Sequence, residues 1–147
     1  MALKTYNPSD HIVVMCGIRV TGFAENMIKI EYNQDAVTLK VGAQGDAVRM
    51  ISQDRSAKIT VTLLASSPTN AQFSALLEAD RPRDRSRGGG GGVAPSVIQD
   101  LNETVLAEAT NTWIVKAPAM EAGKESGDLE WVFETDDLAL VLLGAEV

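Results

Sequence analysis

Apolar and polar residues alternate through much of the first half of the chain. Ile28, Ile30 and Tyr32 alternate with Lys29 and Glu31, then Val37, Leu39 and Val41 with Thr38 and Lys40. A period of two is that of a strand with one wet face, so these segments predict antiparallel strands. Just upstream, the apolar run Ile12 to Val20 is broken by Cys16-Gly17, which predicts two short strands joined by a tight turn. Gly42 to Asp46 reads as a loop, Ala47 to Ile51 as a returning strand, and Lys58 to Leu64 as another, with Ile59, Val61 and Leu63 on one side.

The period changes once. After Ser66-Ser67-Pro68, the residues Phe73, Leu76 and Leu77 make a helical stripe. Ser67 can cap this helix and Pro68 can occupy its first turn, where a missing amide is not needed. Asp80-Arg81-Pro82 ends it, because proline excludes helical geometry from the residue before it. The spacing therefore predicts one helix, about residues 68–80.

Arg83 to Arg87 followed by Gly88 to Gly92 is the one low-complexity segment. Five glycines cost too much backbone entropy for an element interior, so a flexible Arg/Gly-rich loop is expected at about 81–95. Beyond it, Ser96 to Leu101, Val105 to Ala109, Thr112 to Lys116, Leu129 to Glu134 and Leu138 to Leu143 are short segments separated by turn residues. Asp100 and Asn102 would satisfy backbone groups at a turn, Trp113 and Trp131 would anchor their strands to the core, and Pro118 would stop a strand. The sum is a mainly β fold, an antiparallel sandwich or barrel with one α-helix, and 147 residues suit one domain spanning 1–147.

Composition then narrows the function classes. The chain is 45% apolar and 22% charged, as in globular proteins, and its formal net charge of −7 opposes a main role in neutralising nucleic-acid phosphates. From Ala119 to Val147 only Lys124 offsets eight carboxylates, so the acidic field belongs mainly to the C-terminal fifth. One cysteine, Cys16, cannot form an internal disulfide and reads as a small buried or turn residue. Met1 to Tyr6 lacks the layout of a signal peptide and no run approaches a membrane span, which predicts synthesis in a cytoplasm.

Candidate chemistry is sparse. The pentaglycine run lacks the lysine and Ser/Thr of a phosphate-binding loop. His11 is the sole histidine, so a histidine-rich zinc site is excluded and a strand-edge position is the simpler reading. The pairs Asp136-Asp137 and Glu130 with Glu134 could in principle bind a hard cation or do acid/base work, but in an acidic tail plain surface charge is the better reading. Arginines 81, 83, 85 and 87 have no interleaved aromatics for stacking bases. No catalytic, metal or cofactor residues are assigned, and no cofactor is expected.

Several stretches, taken in order, carry more information than any one alone. They are Val41-Gly42-Ala43-Gln44-Gly45, Ser52-Gln53-Asp54-Arg55-Ser56 leading into Ile59 to Leu63, Ser66 to Asn70, Asp100-Leu101-Asn102 with Trp113-Ile114, and Gly123-Lys124-Glu125 followed by Glu130-Trp131. Their succession resembles the tail tube proteins of contractile-tailed bacteriophages, the myovirus tail tube family. The Arg83 to Gly92 tract departs from that family and looks like an expanded loop.

The resemblance implies a non-enzymatic virion protein made in the host cytoplasm. Its β subunit would close into hexameric rings that stack into a hollow tube inside a contractile sheath. Partners would be further copies of the chain, the sheath, the baseplate and the tail terminator, with DNA passing through the lumen without specific binding and no membrane involved. Sheets of neighbouring subunits would join into one barrel, which would account for Leu138 to Leu143 being apolar on both faces. By the same matching, residues 42–58 would form an extended hairpin reaching a neighbouring subunit or ring. Asp46, Arg49, Asp54 and Arg55 are its candidate contacts, with local turn stabilisation as the competing reading. Two alternatives stand beside this: the tube of a related contractile injection machine, and a monomeric β-sandwich that binds carbohydrate or protein through Trp113, Trp131 and the glycine loop.

Overall fold

A computed structural model describes residues 3, 11–81, 91–100, 105–119 and 127–141. These form ten strands and one helix: β1 (His11–Met15), β2 (Ile18–Arg19), β3 (Phe23–Tyr32), β4 (Val37–Val41), β5 (Ala47–Ile51), β6 (Ala57–Leu64), α1 (Thr69–Asp80), β7 (Ala94–Asp100), β8 (Val105–Lys116), β9 (Asp128–Thr135) and β10 (Leu138–Leu140). The expected mainly β fold with a single helix is the fold observed.

All main-sheet pairings are antiparallel, in the order β2-β1-β7-β8-β9-β6-β3, with β10 beside the first half of β8. Laid flat, β2 and β3 would sit about 29 Å apart, six strand spacings. Yet only Val20, Thr21 and Gly22 separate them in sequence, a reach of about 14 Å. The sheet must therefore curl, and its concave face becomes the core.

Register lays that core out in rows. Ile30, Ile59, Phe133 and Ile114 face one another across β3, β6, β9 and β8, and Ile28, Val61 and Trp131 form the next row. α1 closes the concavity. Phe73 on its inner face meets the rings of Trp131 and Phe133 edge-on, with centroids 5.5 and 5.1 Å away. The Trp131 indole N–H donates to Asn70 Oδ1 at 3.0 Å, so its polar edge is satisfied where the ring is buried.

Local chemistry sets the element ends much as expected. Cys16 and Gly17 both take left-handed backbone, φ 54° and 80°, in the turn between β1 and β2. Cys16 is held there by β7 and β8: its N–H donates to Ser96 Oγ at 2.9 Å and its thiol to the Thr112 carbonyl at 3.3 Å. Ser67 serves the start of α1 by accepting the Thr69 N–H, while its hydroxyl donates to the Thr21 carbonyl. Arg81 is already extended, φ −78° and ψ 139°, as a residue before proline should be.

Three expectations need correction. Val105 to Ala109 and Thr112 to Lys116 are one strand, β8, because long cross-strand pairing on both sides absorbs the polar Thr110 and Asn111. Trp113 is half-buried and pairs with Glu134 on the convex face, since its neighbours Thr112 and Ile114 take the core side of the pleat. The glycine tract closes on the helix at Gly92, whose N–H donates to Asp80 Oδ1 at 3.3 Å; a Cβ there would fall 2.6 Å from the Asp80 Cβ. In β10 and Val141 one side of the apolar run, Leu138, is buried, and an apolar face, Ala139 and Val141, stays exposed. Residues 82–90, Leu101, Asn102 and the Gly123-Lys124-Glu125 stretch lie outside the described residues, as does the Asp100 side chain.

Candidate functional site

The two strands β4 and β5 belong to no part of the main sheet. Among the described residues they pair only with each other, from Val37↔Ile51 to Val41↔Ala47, as a separate two-stranded arm. Every residue of both strands is exposed. Sequence alternation foresaw the strands, but it predicted one face packed on the core, and none is. The hairpin also occupies residues 37–51, with its root at 52–56, and not 42–58.

The arm has two faces, and one of them mixes Thr38 and Lys40 with Val48 and Met50. Cross-strand partners share a face in an antiparallel pair, so Val37 with Ile51, Leu39 with Arg49, and Val41 with Ala47 form one surface. It is apolar apart from Arg49. Leu39 is 67% exposed, Ile51 64% and Val41 58%. An isolated two-stranded hairpin is marginal in water, and this exposed apolar face is the candidate interaction surface. The tip is tight: Gly42 N–H donates to the Asp46 carbonyl at 2.7 Å, and Gly45 takes φ 89°.

The root is fixed by polar contacts. Arg55 Nε lies 2.9 Å from Asp137 Oδ1, and its Nη2 donates to the Leu138 carbonyl at 3.2 Å. Leu138 N–H in turn donates to the Arg55 carbonyl at 3.1 Å, and the Tyr32 hydroxyl donates to the Leu138 carbonyl at 2.9 Å. Asp54 Oδ1 accepts the Ser56 N–H at 2.9 Å, and hydrogen bonding from Ser56 holds its carboxyl below the usual range. The arm thus leaves the body in a set direction.

These contacts divide the four candidate residues. Asp54 and Arg55 make turn and root contacts within the subunit. Asp46 stands at the tip and Arg49 on the apolar face, and among the described residues neither side chain forms a hydrogen bond or ion pair. Of the weighed carboxylate pairs, Asp137 is used by Arg55, while Glu130 and Glu134 lie on the convex face. Trp131, at 3% exposure, is core and cannot line a groove. Val37, Leu39 and Ile51 are the residues sequence reasoning missed as a site. Only the long loop-flanked excursion between two better-connected strands could have signalled them.

No curated protein matches the chain by sequence. Solved structures do match by fold. The sheath/tube terminator of an extracellular contractile injection system, PVC, aligns with a TM-score of 0.60 over 97% of this chain and 100% of its own, at 13% identity. The sheath-tube complex of that system gives 0.55 over 93% of each chain at 14% identity. A chain from the virion of a native gene transfer agent particle gives 0.59 over 94% of this chain and 100% of its own, at 10% identity. The family profile described as Bacteriophage PhiTE tail tube protein matches residues 16–143, and the chain belongs to that family of tail tube proteins.

Proposed function

We propose that copies of this chain close into hexameric rings that stack into the inner tube of a contractile tail, the conduit through which DNA leaves the particle. The subunit is structural, not catalytic. The observation that carries this reading is the arm: an apolar face held out in a fixed direction has no use in a monomer. A second feature supports it. Among the described residues β3 pairs on one side only, with β6, leaving a ten-residue edge that a neighbouring subunit's strand can extend.

Passage of DNA without retention fits the convex face of β3, β6, β9 and β8. There Lys29, Lys58 and Lys116 are interleaved with Glu31, Glu130 and Glu134, so no unbroken basic surface offers itself to phosphates. Sheath, baseplate and terminator proteins are the further partners this role requires.

Negative-stain imaging of the purified protein over a concentration series, with native mass, tests the reading. Rings of six subunits and tubes built from them are expected. A strict monomer that binds an oligosaccharide would overturn it in favour of a binding module.

A further inference from the structure

Every residue of β4 and β5 is exposed, so the direction of the arm is decided at its root. Some contacts there tie one leg to the other: Ser52 N–H donates to the Ala36 carbonyl at 2.9 Å, Asn33 N–H to the Ser56 carbonyl at 3.0 Å and Asn33 Nδ2 to Ser56 Oγ at 3.0 Å. These close the hairpin but do not aim it. Aim comes from contacts with the body, and apart from Asn33 Nδ2 to Glu134 Oε1, which at 3.5 Å is too long to hold much, they converge on Asp137 and Leu138.

The backbone of Leu138 is turned wholly toward the arm. Its carbonyl accepts from the Tyr32 hydroxyl, where the outgoing leg begins, at 2.9 Å and from Arg55 Nη2, on the returning leg, at 3.2 Å, which fills both lone pairs. Its N–H donates to the Arg55 carbonyl at 3.1 Å, and its side chain is fully buried in the core cluster. Antiparallel alternation therefore leaves the ladder with β8 to Ala139 and Val141, and Val141 N–H does donate to the Leu106 carbonyl at 2.8 Å. β10 has three residues and, among the described residues, pairs with β8 alone, whereas β9 has eight and pairs on both sides. A short strand held on one side opens before the body does.

We propose that β10 is a strap that sets the arm. Docked on β8, it holds Leu138 where both legs bind it, and the arm is aimed. Lifted from β8, it withdraws that shared anchor, and the arm swings on residues 33–36 and 52–56. The two events are linked, so a perturbation of either must appear in the other. The exposed Arg55–Asp137 ion pair is a weak hold alone, because water screens it, and the shared carbonyl is what joins the legs to β10. This device lies within one subunit and goes beyond the tube role, which gives the arm a use but not a means of holding or releasing it.

The test reads arm direction in the unassembled subunit, from the distance between nitroxide labels on Gln44→Cys at the tip and Ala71→Cys on the exposed side of α1. Cys16 stays unlabelled, because burial pushes its thiol up to about 11. With no other change, one narrow distance is expected. Val141→Pro removes the N–H that bonds β8 and touches no arm contact, yet it should broaden that distance. Tyr32→Phe combined with Arg55→Gln should broaden it as well. The same pair should speed hydrogen exchange at the remote Val141 amide about tenfold, while the β6–β9 amides exchange as in wild type. A broad distance before any strap or leg change, a narrow one in either variant, or an unchanged Val141 amide in the leg variant overturns the strap. Should Val141→Pro fail to fold, the leg variant, which alters only side chains at the root, decides through the Val141 amide. No outcome depends on ring formation, so the tube role stands or falls separately.

Discussion

Replacing Leu39 by alanine separates assembly from folding. The change removes three carbons, which full transfer from water would value at about 2.4 kcal/mol. Leu39 is 67% exposed in the free subunit, so docking can bury at most two-thirds of that surface, leaving about 1.6 kcal/mol per arm. The critical concentration for tube growth should rise on the order of tenfold, since about 1.4 kcal/mol is one decade in an equilibrium constant. Folding should hardly notice. Leu39 lies outside the core cluster, and exposed substitutions usually stay within about 0.5 kcal/mol. Sedimentation of tubes against total protein gives the first quantity, and thermal unfolding of the unassembled subunit gives the second. An unchanged critical concentration would refute the arm as an interface. A parallel loss of thermal stability would show that the arm packs on its own body.

Phe73→Ala should cost about 3–5 kcal/mol in urea unfolding, because a fully buried ring that abuts Trp131 and Phe133 leaves a cavity under the helix; a loss below about 1 kcal/mol would mean that α1 does not close the core. Gly22→Ala should destabilise more than Gly17→Ala, and equal losses would contradict this. Both positions have positive φ, but only at Gly22 would a Cβ collide, 2.6 Å from the Ser67 Cβ, whereas Gly17 has open space and bears about 1–2 kcal/mol of left-handed backbone cost alone. Asp54 should titrate below its ordinary 3.8, because Ser56 hydrogen-bonds the ionised form. Its folded pKa is depressed, so its contribution is complete above 3.8 and lost as pH falls through the folded value, and Asp54→Asn should remove that pH dependence. Side-chain NMR titration checks this, and a value at or above 3.8 would be decisive against it.

Turn and helix chemistry was legible residue by residue. Cys16-Gly17 marked a hairpin, Ser67-Pro68 opened α1, the proline rule placed Arg81 outside it, and Phe73 and Leu77 identified its buried face. Each of these depends on neighbours a few positions away. The root contact between Arg55 and Asp137 was not legible, because the residues are far apart in sequence and neither is unusual in a polar turn. Of the two tryptophans, Trp131 took the core and Trp113 the convex face. Alternation fixes the parity of a strand relative to its own neighbours, and only pairing tells which parity faces in.

The same limit explains the site. Ile28 and Ile30 have the alternating pattern of Val37 and Leu39, yet the first pair packs against the core and the second stands in water. The chain by itself determined that both segments are strands with an apolar face. Tertiary structure decided what covers that face: the curled sheet and α1 in one case, nothing among the described residues in the other. Periodicity records that a surface must be removed from water, while the identity of its cover depends on contacts between distant parts of the chain, or on a second copy of it.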